Sequence, residues 1–148
     1  MPVRMELSRI LIRELTDVQL IELTEAEPAP GVSPRSFPIV IGLPEAQAIE
    51  RRLAGLEPKR PQTHDLLDSV IRLLGATLES VEITELNEGT FYARLNLSAA
   101  DGSEVKIDAR PSDAIALGIA SRVAVLVDES VIEEAATPIP PTTGEADL

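Results

Sequence analysis

The chain has 148 residues, 44% of them hydrophobic, yet only two Phe and one Tyr are aromatic, so any core must be aliphatic. It has no cysteine, which excludes disulfides, thiolate zinc sites and a cysteine nucleophile. Its net charge of −12 runs against the basic patches that normally drive polyanion binding.

The length is that of one domain able to bury about two thirds of its unfolded surface. The N-terminus lacks a charged–apolar–small leader, and the longest apolar run, Ala114 to Ala120, is far too short to span a bilayer. The expectation is a cytoplasmic protein with no membrane partner. Six acidic residues (Asp128, Glu129, Glu133, Glu134, Glu145, Asp147) follow Val127 with no Lys or Arg among them. Removing them halves the negative excess without reversing it. The one basic cluster is Arg51, Arg52, Lys59 and Arg60, just before His64.

Two strands open the chain, at 3–13 and 18–25. In the first, Val3, Met5 and Leu7 share one parity and Ile10 and Ile12 the other, which reads as a bulge. Residues 26–35 form a loop, because Pro28, Pro30, Gly31 and Pro34 cannot continue a strand ladder. A strand at 37–42 leads into a helix from Pro44 to Leu53, with Gly55 just past its end. The next helix runs from His64 to Leu74 with Thr63 as N-cap and Asp65 as a first-turn charge. Its apolar face is Leu66, Leu67, Val70, Ile71 and Leu74.

Strands at 78–86, 90–98 and 103–109 follow as a meander. Three-residue loops at Asn87-Glu88-Gly89 and Ala100-Asp101-Gly102 would each place glycine at a left-handed position. In that register Val81 faces Leu95 and Leu95 faces Ile107. Glu82, Arg94 and Asp108 form a row on the opposite side. A helix at 112–121 and an all-apolar strand, Val123–Val127, come next. The lack of alternation in that strand predicts burial on both faces. A short helix at Glu129–Ala135 closes the single domain at 1–135, and the Pro-rich acidic tail 136–148 is expected to be disordered. The fold class is α+β: a mixed, mostly antiparallel sheet with helices on one face.

The run Asp108-Ala-Arg-Pro-Ser-Asp-Ala-Ile-Ala-Leu117 hands a strand to a helix beside an arginine. Pro111 suits a first helical turn, Ser112 and Asp113 suit its capping, and a helix start beside Arg110 can hold an anion. "DARPSDAIALGIASRVAVLV" (108–127), "FPIVIGLPEAQAI" (37–49) and "RPQTHDLLDSVIRLLGATLESVEITELNEGTFYARL" (60–95) occur in that family's order, and together they resemble the bifunctional nuclease domain family, named for activity on DNA and RNA. The likeness runs from Met5 to Ala135. It implies metal-assisted phosphodiester hydrolysis, with Mg²⁺ or Mn²⁺ as the cofactor and nucleic acid as the partner.

Candidate contributors are His64, Asp65, Asp108, Arg110 and Asp113, with Arg110 and Ser112 as anion-binding groups and no metal ligands assigned. Each has a structural alternative. His64 is a general acid or base, or, with Asp65, a stabiliser of its helix start. Arg110 clamps a phosphate, or pairs with a carboxylate while Ser112 and Asp113 act as caps. Asp113 is itself either a metal ligand or a group that repels the same anion. The Glu82–Arg94–Asp108 row supports chemistry, or is a solvated ladder. Gly118, inside a helix, marks a tight contact. A weak echo pairs "IGLPEAQAI" with "DARPSDAIAL", aligning Glu45 with Asp113; shared helix-start chemistry explains it, and Glu45 reads as a first-turn surface charge. The competing function is a non-catalytic, homo-oligomeric assembly module that holds an anion or a partner's carboxylate at the Arg110–Asp113 helix start. A small-molecule enzyme with a pocket under the 26–35 loop is a third reading.

Overall fold

The computed structural model describes residues 1–13, 15 and 18–136; the expected disordered tail lies outside them, apart from Ala136. In chain order the elements are β1 (Pro2–Leu11), β2 (Gln19–Glu25), β3 (Ser36–Ile41), α1 (Leu43–Leu53), α2 (Thr63–Leu73), β4 (Thr77–Asn87), β5 (Thr90–Ser98), β6 (Glu104–Ala109), α3 (Pro111–Ser121), β7 (Ala124–Asp128) and α4 (Glu129–Ala135). The strands make one sheet in the order β3-β2-β1-β7-β4-β5-β6. Neighbours are antiparallel except β4 and β7, which are parallel. The α+β class and mixed sheet are as expected. Among the described residues no helix is long and apolar enough to cross a membrane.

One sheet face carries the core. Met5, Leu23, Phe37, Val81, Leu95 and Val127 are buried there, and Ile49, Ile71, Ile115 and Ile132 of the four helices join the same cluster. The expected bulge in β1 falls between Leu7 and Arg9, where the pairing with β2 slips by one residue. Helix α3 lies so close to β4 that a Cβ on Gly118 would sit 3.0 Å from Val81 Cγ2. This is the tight contact that an interior glycine signals. Gly118→Val should therefore lower stability by about 1–3 kcal/mol through overpacking, read as a lower urea midpoint at unchanged slope.

The meander forms, with corrections. Val81 faces Leu95, Glu82 faces Arg94, and the β5–β6 register pairs Leu95 with Ile107 and Arg94 with Asp108, as expected. The first hairpin, however, turns on two residues. Asn87 pairs with Thr90, and both Glu88 (φ 50°) and Gly89 (φ 79°) are left-handed, the geometry that matches strand twist in a tight hairpin. A bulge between Ile83 and Glu85 absorbs the difference.

Three other expectations change. The N-cap of α2 is Gln62, not Thr63: the Gln62 N–H donates to Asp65 Oδ2 at 2.9 Å. Strand β7 is internal, but Ala124 and Leu126 are only half-buried, because helices cover one face alone. The apolar face of α2 is mostly uncovered, with Ile71 its one buried residue while Leu66, Val70 and Leu74 stay exposed.

The sheet curls over its helices. Phe37 of edge strand β3 stacks on Phe91 of β5, with ring centroids 5.7 Å apart and planes within 16°. On the same side Arg35 ties β2 to α4, reaching Glu25 at 2.6 Å and Glu129 at 2.5 Å. The Arg35 hydrogen bond holds the Glu25 carboxyl below its ordinary value of 4.5. A depressed carboxyl contributes stability above its unfolded value and loses it as pH falls through the folded value. Arg35→Ala should thus lower Tm near neutrality, and the gap from wild type should close as pH drops below 4.5. Thermal melts across pH 2–7 check it.

Candidate functional site

Three helix starts meet at one point. Strand β3 passes through Gly42 into α1, and β6 passes through Arg110 into α3; both helices carry proline in the first turn. Glu45 and Asp113 are then the third helical residues of α1 and α3. Helix α2 brings His64 to the same place from the 54–62 connection.

Arg110 is the hub. Its Nε donates to Asp113 Oδ2 at 2.8 Å, Nη2 to Asp113 Oδ1 at 3.2 Å, and Nη1 to Glu45 Oε1 at 3.2 Å. His64 Nε2 lies 2.9 Å from Asp113 Oδ1. One carboxylate therefore joins an imidazole to a guanidinium. Burial pushes the Asp113 carboxyl up, but hydrogen bonds from Arg110 and His64 outweigh it and hold the group below its ordinary 3.8. The Arg110 guanidinium is raised in turn, chiefly by its hydrogen bond to Asp113. Gly42 makes room for the arrangement, since a Cβ there would overlap Glu45 Oε2.

Two grooves flank His64 and Asp113. One, of about 630 Å³, is lined by Glu45, Arg51, Arg52, His64, Arg110 and Asp113. The other, of about 410 Å³, runs between α2, β6 and α3 over Leu67, Ile71, Leu95, Ile107 and Leu117, with His64, Asp108, Arg110 and Asp113 along it. A polar wall thus stands between a partly basic groove and an apolar one. Arg51 is exposed and makes no ion pair among the described residues.

The sequence candidates separate here. His64, Arg110 and Asp113 come together. Asp65 turns away to Arg52 Nη2 at 3.1 Å and to the Gln62 N–H, which is the helix-start role. Asp108 is exposed and borders the apolar groove, but Arg94 gives its hydrogen bonds to Glu82, at 3.2 and 3.3 Å, and none to Asp108. The expected three-membered ladder is thus a pair. Ser112 is buried at the second helical position, and α3 starts without a side-chain cap bond, so neither Ser112 nor Asp113 is its cap.

Two groups carry more than sequence reasoning assigned them. Glu45, read as a surface charge, is the second carboxylate on Arg110. Arg52 is a buried link that binds Ala48 O at 2.7 Å as well as Asp65. The signal for Glu45 was the echo that aligned it with Asp113.

The sequence pattern of the Bifunctional nuclease domain matches residues 31–140, which takes in every helix start of the cluster. The chain belongs to this family. Among curated proteins, an uncharacterized protein of Mycobacterium tuberculosis, found under two strains, is 42% identical over 111 residues. That match covers 75% of this chain and 65% of the relative, so the chain spans less than two thirds of the length of the protein it matches. At the family level this is a nuclease-like domain, and the residues its resemblance rested on, 37–49, 60–95 and 108–127, are those that build the cluster.

Proposed function

We propose that the domain cleaves nucleic-acid phosphodiester bonds at the His64–Asp113–Arg110 cluster. The supporting observation is the shared Asp113 carboxylate, which bonds to His64 Nε2 and to the guanidinium at once. Such a partner fixes the imidazole with Nε2–H toward the carboxylate and leaves Nδ1 as the acceptor. Nδ1 takes the proton of an attacking water and Asp113 stabilises the resulting imidazolium, while the leaving oxygen, in line on the far side of the phosphorus, takes its proton from solvent. Arg110 and the unpaired Arg51 face the charge that builds on the phosphate. Among the described residues Arg51 is the one arginine of this groove without a carboxylate partner.

The expected Mg²⁺ or Mn²⁺ would need several converging oxygen donors. Among the described residues no group of three His, Asp or Glu is arranged to hold an ion, and Glu45 and Asp113 both turn their oxygens to Arg110. The donor set does not fit a carboxylate-held ion.

A second reading rests on the same contacts. Arg110 already holds two carboxylates of its own chain, as a purely architectural clasp would. The deciding assay is cleavage of labelled single- and double-stranded DNA and RNA with Mg²⁺, Mn²⁺ or EDTA. Cutting that survives EDTA and disappears in His64→Ala supports the proposal. Cutting that His64→Ala retains, or none in any condition, would leave the clasp reading.

A further inference from the structure

Strand β6 is an edge of the sheet, and its free side lies beside the uncovered face of α2. Val105 and Ile107 remain 38% and 43% exposed on the helix side, and Ile107 shares the apolar groove with Leu67, itself 37% exposed. On the other side of the strand stand Glu104, Lys106 and Asp108, alternating in sign. The Ala99 N–H donates to Ser103 O at 2.8 Å. By the antiparallel alternation, Val105, Ile107 and Ala109 then bond inward to β5, while the N–H and C=O groups of Glu104, Lys106 and Asp108 point to the free edge.

We infer that a second copy of this chain pairs with β6, antiparallel about a two-fold axis at Ile107. The outward groups bond to one another when the axis passes through a residue, and centring on Glu104 or Asp108 sets that carboxylate against its own copy. Centring on Lys106 sets Lys106 against itself and Glu104 against Asp108, so every charged pair repels. Centring on Val105 matches Glu104 with Lys106 but leaves Asp108 opposite Gly102. Centring on Ile107 places Lys106 opposite Asp108, Val105 opposite Ala109 and Ile107 against its own copy, so the charges attract and apolar residues meet; Glu104 then lies opposite Arg110, whose guanidinium is already held by Asp113 and Glu45. The joint is self-complementary, as a two-fold interface must be. It lays the exposed Val105 and Ile107 of each copy along the other. It also sets the two Arg110 clusters about 20 Å apart along the paired strands, from a rise near 3.4 Å per residue.

Charge reversal tests the register. Sedimentation velocity should show a dimer for the wild type. Lys106→Asp and Asp108→Lys should each weaken it at least about tenfold by setting like charges opposite, and the double swap should restore it. Circular dichroism confirms that each variant is folded. Because the chain has no cysteine, Ile107→Cys adds one thiol per copy at facing positions about 4.5 Å apart, within disulfide reach. Oxidation should cross-link Ile107→Cys and not Val105→Cys. A wild-type monomer at all concentrations, a dimer indifferent to both single swaps, or cross-linking through Val105→Cys alone would overturn the inference.

Discussion

His64→Ala is expected to lower the cleavage rate constant by about 10²–10⁴-fold, the range supplied by a positioned general acid–base group. Asp113→Asn should fall in the same range. It keeps the shape but withdraws the anion that orients the imidazole at 2.9 Å and neutralises Arg110 at 2.8 Å. If the two act as a unit, the double variant loses little more than the worse single one. Single-turnover kinetics with substrate in hand separates this from a change in binding. The pH dependence follows from the carboxyl's direction of shift. Asp113 is held below 3.8, so it stays ionised as pH falls to that value. An acid limb of activity above that pH therefore cannot come from Asp113. The stability that its bonds contribute is present above its unfolded value and is lost only as pH drops through the lower, folded one. In Asp113→Asn that low-pH loss of stability should be smaller.

Phe37→Ala should cost about 3–5 kcal/mol, as for other large aromatic truncations in a core. Phe37 is 1% exposed and is one of the few aromatic residues in an aliphatic interior. Its ring contact with Phe91 bridges β3 to β5, strands that share no hydrogen bonds. Loss of that bridge should loosen the curl that carries Gly42 and Glu45 toward Arg110. Equilibrium denaturation measures the energy. A matched Phe37→Leu variant, which refills most of the space, should recover stability more fully than it recovers any property of the Arg110 cluster.

How much of this is legible in the residues depends on how local the cause is. The β1 bulge is written in a parity change between Leu7 and Ile10, and the β5–β6 register in the Ala100-Asp101-Gly102 turn. The β4–β5 turn is not legible, because Glu88, a non-glycine residue, takes a left-handed conformation and a bulge hides the slip from the strand centre. The α2 stripe has helical spacing, but spacing cannot say whether a neighbour covers it. Likewise His64, Arg110 and Asp113 stood out one by one, while their meeting depends on the curl of the sheet and the packing of α1 against α3. Glu45 shows the same limit. Its equivalence to Asp113 was visible as shared helix-start chemistry, and only the three-dimensional approach turns two first-turn charges toward one guanidinium.

The position of β7 has a consequence for how the molecule assembles. It sits between β1 and β4, so β1-β2-β3 and β4-β5-β6 have no common strand pairing without it. Yet it follows both groups in the chain. During synthesis the two halves can each form their hairpins early, but the sheet cannot close until residues 124–128 have emerged and slipped between them. Long-range closure of this kind is slow compared with hairpin formation. The last of the described strands to appear is the keystone, and until it is seated the flanks of β1 and β4 are open edges exposed to aggregation.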